Sequence, residues 1–260
     1  MENRFNYEFE TPYLKSTLAG PLIILEPKTD SFEALVDVHI GPKSFEWLDA
    51  VAGDKSIKGI LLLSSGDYFG EIPFARHLSK LSGEDINPDK PVIINKIVDK
   101  DKRSIQINML NTYIKKILAA PQIVFVALAN TVVSPFWGVS LACDYRIAHP
   151  NLIVHLNSRE FGLHPSGGVP FFMNKYLGHA ITKEYLFAER FIKAEKALDL
   201  GLVNFITSKN NYQNDSIARA KEILESTSYE YFYYTKKIMN TNLIKEFDNY
   251  TVIEGQMEMH

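Results

Sequence analysis

The chain has 260 residues, of which 46% are apolar, 23% charged and 12% aromatic, enough apolar material for the core of one large domain. Twenty-eight Lys and Arg against 31 Asp and Glu leave a formal charge of −3 with no long block of either sign, which argues against nucleic acid or an anionic membrane as partner. A single cysteine, Cys143, excludes an intrachain disulfide and a cysteine-based metal site, and favours a reducing, cytoplasmic setting.

The opening stretch MENRFNYEFE is acidic and has no apolar h-region, so it reads as neither a signal nor a transit peptide. An apolar run at 21–25 precedes a polar turn at 27–31. In PKSFEWLDAVAG, Phe45, Leu48, Val51 and Ala52 recur at helical spacing until Gly53 and Asp54 stop the pattern. IKGILLLSS, 57–65, is apolar enough to require cover on both faces, as strands of parallel sheets do. A loop rich in glycine and charge follows, with 81–90 as its mobile surface part, then a helix over 104–119 and a second buried strand over 123–129. The apolar run QIVFVALA there is much shorter than the ~20 residues of a membrane span. Strands alternating with helices predict an α/β class with crossover connections. Beyond Pro150 the periodicity predicts mainly helices, at 171–188, 194–200, 215–225, 229–239 and 243–258. No Pro- or Ser-rich linker intervenes. The expected organisation is an α/β core over 1–200 carrying a helical region over 201–260.

Four stretches together resemble the crotonase superfamily, that of the enoyl-CoA hydratases and isomerases. They are DKSIKGILLLSSGDYFGEIPF from Asp54, KKILAAPQIVFVALAN with SLACDYRIAHP between Lys115 and Pro150, FGLHPSGGVPFFMNKYLG from Phe161, and LFAERFIKAEKALDLGLVN from Leu186. The last is the most specific, because Ala194, Ala197, Gly201, Leu202, Val203 and Asn204 fall in the family's order and spacing. The resemblance implies a spiral of ββα units with a helical carboxy-terminal region, a trimer or hexamer, and an acyl-CoA or related carbonyl compound as substrate. CoA would then be part of the substrate, with no separate cofactor. The family's terminal helix usually runs further than His260, which touches on the expected trimer contacts.

Family chemistry centres on an enolate held by two backbone N–H groups, and losing one such donor typically costs ~10²–10³ in rate. The resemblance places the first donor at Ile72; read without it, Gly70-Glu71-Ile72-Pro73 is a loop leaving a strand. The second donor falls where a glycine run usually opens a helix, and here that run is Ser134-Pro135-Phe136-Trp137-Gly138. Proline has no N–H. With Pro135 at the first helical position, the Phe136 amide becomes the candidate donor. The alternative is that Phe136 and Trp137 simply fill a former cleft.

The two glutamates of a hydratase align with Gly138 and Ser158, neither of which moves a proton as a carboxylate does. Glu71, His155, Glu160 and His164 are the nearby ionisable substitutes, with Glu160 and His164 favoured because they precede the Pro165-Ser166-Gly167-Gly168 turn. The loop that meets CoA corresponds to 26–35, which marks Ala34. Arg76 and Lys80 are the candidate phosphate contacts, and solvated surface charge is their other reading. The turn and the shortened Asn130-to-Asp144 spacing also resemble the β-diketone hydrolase branch, of which 6-oxocamphor hydrolase is an example, although its histidine position is Phe136 here. A non-catalytic relative with a closed cleft is the third possibility. Dinucleotide, P-loop and serine-elbow motifs are absent, and the seven histidines lack H-E-x-x-H spacing, so no metal is signalled.

Overall fold

The structure, a computed structural model, describes residues 6–29 and 31–258, the last by its backbone alone. Met1 to Phe5, the first half of the opening stretch, lie outside the described residues. Ten strands and nine α-helices are present among the described residues. The antiparallel strands β1 (Phe9–Glu10), β2 (Leu14–Ala19) and β3 (Leu22–Pro27) lead into a parallel sheet of β3, β4 (Gly59–Leu63), β5 (Ile123–Leu128), β7 (Tyr145–Ala148) and β10 (Phe205–Ile206). A smaller sheet joins β6 (Thr131–Val133) in parallel to β8 (Ile153–His155) and β8 in antiparallel fashion to β9 (Phe191–Lys193).

Strand alternation divides the large sheet into two faces. Leu22, Ile24, Leu61, Leu63, Phe125 and Ala127 point one way, under α8 (Tyr212–Glu225), where Ala220 and Leu224 cover them. The register, with Leu61 opposite both Ile24 and Phe125, puts these side chains in one layer. On the other face Ile23, Leu25 and Ile60 meet Val51 of α2 (Gly41–Gly53). The continuous apolar character read at 57–65 and 123–129 follows from this two-sided burial.

Several elements differ from the sequence expectation. A short helix α1 (Ser31–Val36) begins inside what reads as a polar turn, fixed by the Ser31 hydroxyl, which donates to the Tyr13 carbonyl at 2.6 Å. The glycine-rich loop contains a full helix, α3 (Glu71–Ser82), with Pro73 in its first turn, where a missing N–H is harmless. Helix α4 (Lys100–Ala119) starts four residues earlier than expected because Asp99 caps it, accepting from the Lys102 amide at 3.1 Å. The three short strands β8, β9 and β10 lie in the segment read as helical. The run after Phe171 is α6 (Val169–Lys183), kinked at Gly178, followed by a π-type turn at Glu184–Ala188 and, after β9, by α7 (Ala194–Asp199).

The last two expected helices are one, α9 (Tyr229–Glu258). Packing carries it through the polar stretch at 240–242, where Asn240 donates to the Leu118 carbonyl of α4 at 2.9 Å. One turn earlier the buried Lys236 ammonium donates to Asp144 Oδ2 at 2.6 Å and to the Gln122 carbonyl at 2.9 Å. Burial pushes the Asp144 carboxyl above its usual range, and Lys236 pulls it back.

Candidate functional site

Two helix N-termini come together above the sheet. One belongs to α3, whose cap is Gly70; the other belongs to α5 (Ser134–Leu141), whose cap is Val133 at the end of β6. The Val133 amide donates to the Phe69 carbonyl at 2.9 Å, and this bond ties the residue before one cap to the cap of the other. Ile72 is the second residue of α3 and Phe136 the third of α5. First-turn amides have no acceptor within their own helix, so the arrangement can hold a carbonyl oxygen or an anion. Pro135 is the second helical residue and Ser134 the first, one position from the sequence expectation.

The side chains around α5 are tightly disposed. Phe136 and Trp137 are buried, and the Phe136 ring stacks on Phe69 with centroids 3.5 Å apart and planes 4° from parallel. A side-chain carbon at Gly138 would overlap the Gly167 carbonyl, and one at Gly167, where φ is +68°, would overlap the Pro135 carbonyl. The 165–168 turn therefore lies directly on the helix backbone, and only glycine permits that approach. Ser158 is also buried, on the 3-10 turn Asn157–Phe161.

On its other side α5 borders an apolar cavity of about 870 Å³. Phe69, Phe136, Val139 and Cys143 form its inner wall, and Leu25, Leu62 and Val126 its floor on the sheet. Ala34, Leu35 and Trp47 close it from α1 and α2, while Lys43, Lys115 and Lys116 bring positive charge to it. Lys116 pairs with Asp49 at 2.6 Å and Lys115 with Asp248 at 2.8 Å. Burial pushes the Cys143 thiol up to about 12, so this cavity wall carries a neutral thiol and no ready nucleophile.

The remaining expected residues separate into groups. Ala34 shares the cavity with Phe136, whereas Ile72 is exposed and lines a different, polar cavity of about 400 Å³ beside Glu71 and Thr131. Lys80 pairs with Glu33, the neighbour of Ala34, and Arg76 is exposed on the same helix. Glu160 is folded inward against His155 and Arg190. The His164 ring is exposed, with Nδ1 3.2 Å from the adjacent Pro165 carbonyl, and its own carbonyl accepts from Arg103. The favoured pair Glu160 and His164 thus do not share a surface. Sequence reasoning did not single out Phe69, the ring that stacks on Phe136, nor Asp67, whose carboxyl is pushed above its usual range by burial and by the nearby Glu71.

An α/β chain whose parallel sheet brings two helix N-termini together defines a class suited to carbonyl-oxygen binding. The enoyl-CoA hydratase/isomerase family model matches residues 82–260, and the chain belongs to that family. A mouse protein, "Enoyl-CoA hydratase domain-containing protein 2, mitochondrial", is 36% identical over 90 residues, 33% of this chain and 30% of its own length. "Probable enoyl-CoA hydratase 2, mitochondrial" of Arabidopsis thaliana is 25% identical over 135 residues, 48% of this chain and 44% of its own. The chain thus matches less than half the length of these relatives. Among solved structures, an enoyl-CoA hydratase from Bacillus halodurans shares the fold with a TM-score of 0.77 at 18% identity, over 94% of this chain and 92% of that one. DspI of Pseudomonas aeruginosa gives 0.71 at 14% identity, over 99% and 90%. Among the described residues no helix is long and apolar enough to cross a membrane.

Proposed function

We propose that this chain binds an acyl thioester or a closely related carbonyl compound, with the apolar tail in the 870 Å³ cavity and the carbonyl at the junction of α3 and α5. The observation that carries this reading is that one cavity runs from Ala34 to the rings of Phe69 and Phe136, at the very junction fixed by the Val133–Phe69 bond. Its volume lies within the usual range of ligand sites. In this reading the oxyanion donors are the Phe136 amide, from the wall of the apolar cavity, and the Ile72 amide, from the lining of the polar one, and the lysines around the apolar cavity suit the phosphates of a CoA moiety. Ala34, Arg76 and Lys80 belong to the same side of the molecule.

Conventional hydration of a double bond is not part of the proposal. Gly138 and Ser158 stand where the family's hydratase glutamates align, and the Gly167 carbonyl occupies the space any side chain at 138 needs. A thermal-shift series with CoA, acetyl-CoA, crotonyl-CoA and octanoyl-CoA tests the reading. A ligand at 100 times its Kd stabilises by about 2.7 kcal/mol, about 5 °C for a chain of this size. Octanoyl-CoA is expected to give the largest shift because its acyl chain buries the most apolar surface of the four, and no shift with any of the four overturns the proposal.

A further inference from the structure

His155 ends β8 with its side chain 8% exposed and a carboxylate against each ring nitrogen. Glu71 Oε1 lies 2.6 Å from Nδ1, and Glu160 Oε1 lies 3.3 Å from Nε2. A neutral imidazole donates from only one nitrogen, so filling both contacts takes one more proton, on the ring or on a carboxyl. The same Glu160 oxygen is 3.1 Å from Arg190, and the Phe191 ring covers the imidazole at 4.3 Å. One edge of the ring is therefore anchored by Glu160 and Arg190. The other edge meets Glu71, whose side chain is 35% exposed and opens into the 400 Å³ cavity lined by Asp67, Ile72, Asn87, Asp89 and Thr131.

We propose that Glu71 is the catalytic acid–base group of this chain, acting on carbonyl compounds with an acidic C–H next to the carbonyl, and that His155 is its positioning residue. The proposal rests on the carbonyl-binding reading above. It places the proton-transfer group on the first turn of α3, away from positions 138 and 158. In the step, a Glu71 oxygen takes the proton from the carbon next to the carbonyl. The C–H electron pair becomes the new C=C bond, and the carbonyl π pair moves onto the oxygen, where the Ile72 N–H holds it. The reverse step returns a proton that has equilibrated with solvent. No oxidant, metal or second substrate is needed.

The experiment follows vinylacetyl-CoA in D₂O by proton NMR, alongside thermal shifts with the same compound. Wild-type protein is expected to replace the C2 protons by deuterium. Glu71→Gln is expected to slow this at least about 100-fold while keeping the thermal shift, and Glu71→Asp to recover part of the rate. His155→Gln is expected to slow it about tenfold and to change the shape of its pH profile, which Asp67, Glu71, Glu160 and Arg190 shape together; a purely structural histidine would leave that shape unchanged. Binding without exchange in wild type, or exchange at full rate in Glu71→Gln, overturns the proposal. Should vinylacetyl-CoA not bind, octanoyl-CoA takes its place in the exchange; should none of these compounds bind, the carbonyl-binding reading fails, and the pair is judged without ligand from the ¹⁵N resonances of the His155 ring. A changed ring signature in Glu71→Gln supports the coupling, and identical resonances in both proteins overturn it.

Discussion

On one flank of α5, Gly138 and the Pro135 carbonyl meet the 165–168 turn backbone against backbone; on the other, Phe136 and Val139, with Cys143 just beyond the helix, line about 870 Å³ of apolar space. The two flanks are a third of a helical turn apart, yet one admits no added atom and the other has room for a ligand. Residues 136 and 139 share a stripe of the helix at a spacing of three, and Gly138 lies off it. A single helix thus packs without space on one side and walls a cavity on the other. The tight contact at Gly138 and the cavity beside Phe136 are separate features of the structure, and each can be tested by itself.

The sharpest way to break the contrast is at the ring between the two flanks. Phe136→Ala removes a buried, stacked side chain and is expected to destabilise by about 3–5 kcal/mol in urea unfolding. A loss below about 1 kcal/mol would mean that the pair is not a structural wall. Next in size is Gly138→Ala, whose methyl meets the Gly167 carbonyl. The expected loss is about 1–3 kcal/mol, and wild-type stability would show that the turn can retreat. Across the cavity from the open flank, on α1, the same kind of enlargement, Ala34→Leu, is expected to change stability by less than about 1 kcal/mol while at least halving the octanoyl-CoA thermal shift. Equal losses at 34 and 138 would erase the distinction between the flanks.

The smallest effect concerns His77 on α3, buried against the Phe32 ring at 5.3 Å. Burial pushes this imidazole below the usual 6.5. The unfolded chain then takes up the proton first, so stability from the neutral ring is fully present above about pH 6.5 and declines as pH falls below it. His77→Phe keeps a ring on Phe32 and is expected to flatten the fall of Tm between about pH 7 and pH 5. An unchanged slope would mean that His77 is not the source of the acid sensitivity.

The buried strands β4 and β5 were legible because both of their faces are apolar, and helices α2, α4 and α8 because their spacing is regular. Helix α3 was hidden by Gly66, Gly70 and Pro73, residues that usually mark loops but here sit before the helix or in its first turn, where they do no harm. The division of α9 at 240–242 came from apolar spacing, which lapses at that polar stretch; Asn240 and Lys236, anchored to α4 and Asp144, carry the helix through it. Strands of two or three residues, such as β10, carry no periodic signal; the pairing of Phe205 with Ile147 comes from a strand far back in the chain.

What the residues alone determined was the α/β alternation, the family and the type of side chain at each aligned position, because apolar periodicity and short motifs are local properties of a chain. What only the folded structure decided was which groups meet. Glu71 and His155 are 84 positions apart in the sequence, on the first turn of α3 and the end of β8, and no spacing rule in one dimension encodes a distance of 2.6 Å in three. The same holds for the cavity, since a void between α1, α2, α5 and the sheet is a property of how surfaces fail to fill the space between them, which no single segment contains.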